Sequence, residues 1–107
     1  MKRIHIALST RDIYASVKEY SARLGTEPVT VIPGEYALWR TDTINLSLRN
    51  DPAVPAGSLR HLGWEDPEAD DFTAQKDVNG ILWEHFAEHH QNQEILDIWP
   101  DAQIRTE

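Results

Sequence analysis

Two histidines, His5 and His61, each interrupt an apolar strand-like segment, Ile4-His5-Ile6-Ala7-Leu8 and Leu59-Arg60-His61-Leu62-Gly63-Trp64. Imidazole changes charge near neutral pH and offers a nitrogen lone pair when neutral, so such a pair can transfer protons or hold a metal ion. Side chains alternate between the two faces of a strand, so each histidine points away from the face that its apolar neighbours bury. A polar residue recurs later in each half: Asn45 between Ile44 and Leu46, and Asp97 between Leu96 and Ile98. The spacings nearly agree, 56 residues from position 5 to 61 and 52 from 45 to 97, which is the mark of an internal repeat. Two copies of one module would gather His5, His61, Asn45 and Asp97 around a shared cavity. An isolated strand histidine most often serves as a hydrogen-bonded structural residue. Asn45, with Ser47 and Arg49 on the same parity, reads by itself as the outward face of a half-exposed strand. The paired arrangement is what favours a site, and Asp97 adds to it, because a carboxylate between two apolar residues must face water, a partner or a cavity.

Composition narrows the chemistry. A chain of 107 residues is one domain, residues 1–107, with a single core. Its formal charge of −8, with ten scattered Lys and Arg, argues against nucleic acid as a partner, since phosphate binding relies on clustered cations. The absence of cysteine excludes a disulfide framework, a thiolate nucleophile and a thiolate metal site. Any metal must therefore sit on imidazole, carboxylate, amide or water. Met1-Lys2-Arg3 leads straight into a short strand, and no apolar stretch is long enough to span a bilayer, so a cytoplasmic protein without a membrane partner is expected.

Several elements must position these residues. After the first strand, Ser9-Thr10-Arg11-Asp12 offers capping oxygens, and Val17, Tyr20 and Leu24 recur at helical spacing up to Gly25, a C-terminal stop. Strands are expected at 28–32, before the Pro33-Gly34 turn, and at 36–40 and 43–48, where apolar and polar residues alternate. Residues 50–58 form a turn-rich linker, and a second module restarts with a strand at 58–64. Asp66-Pro67 opens a short helix over 69–76, and Ile95 to Trp99 reads as a closing strand before Pro100. Residues 81–86 fit either a strand or a helical stripe. The modules thus span about 1–50 and 58–101, the second abbreviated.

The stretches His5-Ile6-Ala7-Leu8-Ser9-Thr10-Arg11-Asp12, Ser21-Ala22-Arg23-Leu24-Gly25-Thr26-Glu27-Pro28 and Ser58-Leu59-Arg60-His61-Leu62-Gly63-Trp64 resemble the vicinal oxygen chelate superfamily, the group of glyoxalases, bleomycin-resistance proteins and extradiol dioxygenases. Leu24 to Gly63 is most similar to the cadmium-induced and organoarsenical-cleaving members. The resemblance implies an α+β fold in which paired strand-helix-three-strand modules form an open β half-barrel. It also implies metal ligation by His5 and His61, from the opening strand of each module, and by Asp97, where members usually carry Glu in a closing strand. Asn45 takes the other closing-strand position, where glyoxalases keep a Glu. The resulting two-His, one-carboxylate set suits Fe2+, Zn2+, Ni2+ or Mn2+ with open positions for substrate. Cleavage of organoarsenicals is not expected, because those members hold arsenic with a thiol pair.

Two function classes follow from the resemblance. The first is a metal-dependent lyase, isomerase or dioxygenase acting on a small oxygen-bearing substrate, with Glu84 as the candidate catalytic base. The second is a metal-free protein that sequesters a small molecule, as bleomycin-resistance proteins do. A homodimer is expected in both, since so short a fold leaves open sheet edges and an incomplete cavity. Trp39, Trp64, Trp83 and Trp99 divide between core and pocket. His85, His89 and His90 read as solvated surface.

Overall fold

A computed structural model describes residues 1–106 as nine elements. The first half runs β1 (Arg3–Thr10), α1 (Ile13–Leu24), β2 (Thr30–Ile32), β3 (Tyr36–Arg40) and β4 (Ile44–Asn50), and the second β5 (Leu59–Glu65), β6 (Thr73–Lys76), β7 (Leu82–Phe86) and α2 (Glu88–Ile98). The fold is α+β, with one mixed seven-stranded sheet in the order β2-β3-β4-β1-β5-β7-β6.

The first half follows its sequence signals. Asp12 caps α1 by accepting from the Ala15 amide at 2.9 Å, and Gly25 ends the helix in the left-handed region at φ 71°, a conformation that costs glycine little. Ile13, Val17, Tyr20 and Leu24 lay one helix stripe on Leu8, Ala37, Trp39, Leu46 and Leu48 of the sheet. Full burial of each such large side chain contributes about 1.5–3 kcal/mol. The opposite parity of the same strands (His5, Asn45, Ser47, Leu38, Arg40) faces the other side.

The halves share a pairing scheme. β1 runs parallel to β4, which pairs antiparallel with β3, while β5 runs parallel to β7, which pairs antiparallel with β6. β1 and β5 join the halves as antiparallel neighbours.

Two expected elements differ. No helix occupies 69–76. The Asp66 carboxylate instead accepts from the Glu68 amide, its carbonyl accepts from the Ala69 amide, and Phe72 stacks on Phe86 at 5.6 Å before β6 begins. Asp66, Glu68, Asp70 and Asp71 would crowd like charges along a helix, and the short aspartate side chains favour turns. The second correction is the closing segment: Ile95 to Trp99 is not a strand, because residues 88–98 form α2. His90 starts that helix by accepting from the Ala87 amide on Nδ1. Gln91 and Ile95, four apart, are its buried positions. Ile95 packs with Val29, Tyr36 and Leu38, joined by Trp99, Ala102 and Ile104 of the C-terminal segment. A short apolar run does not distinguish strand from helix, and here the sheet face supplies what the helix stripe needs. α2 thereby roofs the polar face of β3 and β4.

Candidate metal centre

The register of three strands builds the site. His5 on β1 lies opposite Gly63 on β5, and Gly63 lies beside Glu84 on β7. The three positions form one row on one face of the sheet. Glycine leaves the middle of the row empty, so His5 and Glu84 reach toward each other across it, and His61, two residues from Gly63, completes the triangle. His5 Nε2 is 2.9 Å from His61 Nε2 and 3.8 Å from Glu84 Oε1, and His61 Nε2 is 3.1 Å from Glu84 Oε1. A β-carbon at Gly63 would collide with the Glu84 carbonyl oxygen, so this glycine sets the approach of β7.

The donor set could hold a divalent ion. All three ligand atoms lie within 4.8 Å of one another. A triangle with the three sides above has its centre about 1.9 Å from each atom, so a small displacement from the plane gives the roughly 2.0–2.2 Å bonds of imidazole and carboxylate to zinc.

The surroundings hold His5 in the form that a metal ligand would need. His5 Nδ1 donates to Asn45 Oδ1 at 2.8 Å, with the Asn45 carbonyl a second acceptor at 3.2 Å. That proton on Nδ1 leaves Nε2 as a bare lone pair facing His61 and Glu84, the tautomer that a metal ligand needs. Burial, and then the neighbouring His61, lower the His5 pKa from its usual value, which also favours the neutral ring. Asn45 is itself fixed: Nδ2 donates to Glu65 Oε1 at 2.8 Å and Gln91 Oε1 at 2.7 Å, while Oδ1 accepts from Gln91 Nε2 at 3.2 Å. Arg40 donates to Gln91 Oε1 at 2.7 Å and lies 3.3 Å from Glu65 Oε1, and Arg3 donates to Glu65 Oε2 at 2.8 Å. These buried charges are compensated by one another, as an interior requires. With its amide fully engaged, Asn45 acts behind His5 and does not itself face the ligand triangle.

Of the expected ligands, the structure brings His5 and His61 together and leaves Asp97 apart. Asp97 sits on the exposed side of α2, where its Oδ1 accepts from Gln93 Nε2 at 2.8 Å. A strand at 95–99 would have aimed it by alternation, whereas a helix turns it to solvent. Glu84, expected as a base, supplies the carboxylate of the triangle instead. Among the remaining histidines, His85 bonds Asp66 Oδ2 at 2.9 Å, His90 caps α2 and His89 is exposed.

Beside the triangle is a cavity of about 30 Å³, room for one or two water-sized groups. Tyr36, Ser47, Arg49, Arg60, Glu94 and Trp99 line it with the ligand residues. Partial burial, and then Glu84, raise the Glu94 carboxyl above the usual carboxylate range. Sequence reasoning missed Arg49, Arg60 and Glu94. Arg49 shares the parity of Asn45 and Ser47, and Gln91, Glu94, Ile95 and Ile98 make a helical stripe, so two of the three left a readable signal. No protein-family model matches the chain, and no curated protein matches it.

Proposed function

We propose that the protein is a metal-dependent enzyme of the glyoxalase and dioxygenase type, a lyase, isomerase or dioxygenase, in which His5, His61 and Glu84 hold one divalent ion against a small oxygen-bearing substrate. The observation that carries the reading is the convergence of two imidazole nitrogens and one carboxylate oxygen from three strands, within 4.8 Å of one another, with the His5 tautomer held by Asn45. The halves, alike in strand pairing, support a half-barrel of two modules whose second copy has lost its helix and outer strand. Bound there, the ion supplies Lewis acidity toward vicinal oxygens and, as Fe2+, redox capacity toward dioxygen.

The chain's own groups supply the rest. Asn45 orients His5, and Phe86, edge-on to the His5 ring at 5.1 Å, shields it from water. Proton transfer falls to Glu94, since Glu84 is committed to the histidines. A raised pKa brings its carboxyl closer to neutrality, where a carboxylate works better as a base. The homodimer belongs to the same proposal. α1 covers the outer face of the first half, no helix among the described residues does so for the second, and Trp64 is exposed there beside the half-buried Leu62 and Trp83. A second copy of this chain is its occupant. Among the described residues, no helix is long and apolar enough to cross a membrane.

Zinc titration calorimetry on untagged protein tests the metal reading. Wild type and Asp97→Ala bind one equivalent alike, while His5→Ala, His61→Ala and Glu84→Gln lose at least tenfold in affinity. Equal binding by all five proteins, or none by wild type, overturns it.

A further inference from the structure

Arg49 and Arg60 are two half-buried cations that line the same cavity, and neither has an ion-pair or hydrogen-bond partner among the described residues. Arg49 sits on the polar parity of β4, its guanidinium 5.2 Å above the Trp99 ring, a contact that holds a planar cation in place without consuming its donors. Arg60 arrives differently. On β1, Ala7 pairs with His61 and the next residue, Leu8, pairs with Leu59, so Arg60 is the extra residue of a β-bulge. Regular alternation would send Arg60 to the face opposite His61. The bulge re-aims it, and both Arg60 and His61 line the cavity. Ser9, the register partner of Arg49 on β1, is buried with its hydroxyl unpartnered.

Unpaired cations held partly out of water are costly unless an anion completes them. Among the described residues the only cavity-lining carboxylates are Glu84 and Glu94. Glu84 serves the histidines, and Glu94 forms no ion pair within 4.0 Å with either arginine. A divalent ion on the triangle would leave the cavity more positive still.

We infer that Arg49 and Arg60 form an anion subsite next to the metal triangle, selecting a two- or three-carbon oxyacid whose carboxylate meets the guanidiniums while its neighbouring oxygen faces the metal position. This rests on the proposed metal reading for the second contact and on the bulge and the unpaired arginines for the first. Guanidinium donors match a carboxylate in a paired fork. The cavity, about 30 Å³, takes the carboxylate group itself, and the exposed Glu94 and Ile98 at its rim leave the rest of a short acid at the open mouth.

Oxalate is the probe, titrated by calorimetry into zinc-loaded and metal-free wild type, Arg49→Gln and Arg60→Gln, with neutral oxamide as the uncharged control. Zinc itself binds all three proteins within about threefold of one another, because neither arginine is hydrogen-bonded or ion-paired to His5, His61 or Glu84. Oxalate affinity falls at least tenfold in each variant, and oxamide does not distinguish them. Oxalate binding equally well to wild type and variants, or failing to bind wild type in either form, overturns the subsite. Should zinc not bind wild type, the metal reading fails by itself, and arginine-dependent oxalate binding to the metal-free protein still sustains the anion subsite.

Discussion

Asn45→Ala separates what Asn45 does for the fold from what it does for the site. The amide makes four hydrogen bonds in a fully buried position, to His5, Glu65 and twice with Gln91. Truncation does not orphan every partner. His5 Nδ1 keeps the residue-45 carbonyl at 3.2 Å, Gln91 Oε1 keeps Arg40 at 2.7 Å, and the Glu65 carboxylate keeps Arg3 and Arg40. Gln91 Nε2 is left with nothing the structure provides. One orphaned amide costs about 1–3 kcal/mol, and loss of a hydrogen bond to a buried carboxylate about 1.5–3 kcal/mol. The expected destabilisation is therefore about 2.5–6 kcal/mol, a large share of the roughly 5–15 kcal/mol that holds a domain of this size. Urea denaturation at low temperature, where the variant still folds, reads this number directly. Zinc affinity should fall about 10–100-fold, the usual consequence of losing a group that orients a ligating histidine, but not vanish, because the backbone acceptor remains. A folded Asn45→Ala with wild-type zinc affinity would refute the orienting role, and a stability loss under about 1 kcal/mol would refute the account of the buried network.

Three further outcomes are expected. Gly63→Ala places a β-carbon against the Glu84 carbonyl; pushing β7 away costs about 1–3 kcal/mol and weakens zinc binding together with stability, so urea curves and calorimetry should move in step, and an unperturbed variant removes the glycine's role. Burial pushes the Tyr36 hydroxyl up to about 12 from 10.0; the folded state thus holds its proton more tightly than the unfolded one, so this contribution is complete below pH 10 and is lost as pH rises toward 12, about 3 kcal/mol in all. Tyr36→Phe should show a correspondingly flatter stability profile over that range, and parallel profiles for the two proteins contradict it. Light scattering should find a dimer that Trp64→Glu disrupts, whereas a wild-type monomer at micromolar concentration removes the dimer.

The sequence by itself determined the first half and the two histidines. β1, α1, β3 and β4 carry period-two or helical patterns with caps and turn residues at their ends, and these act over a few neighbouring residues. The parity of His5 and His61 depends only on alternation, so their shared face was legible from the chain. The carboxylate was not. Glu84 lies in a segment whose local signals fit strand and helix alike and Asp97 in one that reads as a strand, and the outcome in both came from long-range contacts: β7 docks parallel to β5 against Gly63, while Ile95 finds its burial on Val29, Tyr36 and Leu38 as part of α2. Arg60 was hidden for a similar reason, since alternation sends it to the wrong face and only the register shift opposite Ala7 and Leu8 turns it inward. Tertiary pairing thus decided which charged groups meet the histidines, because a strand's register and a bulge's position are properties of two strands together and are written in neither alone.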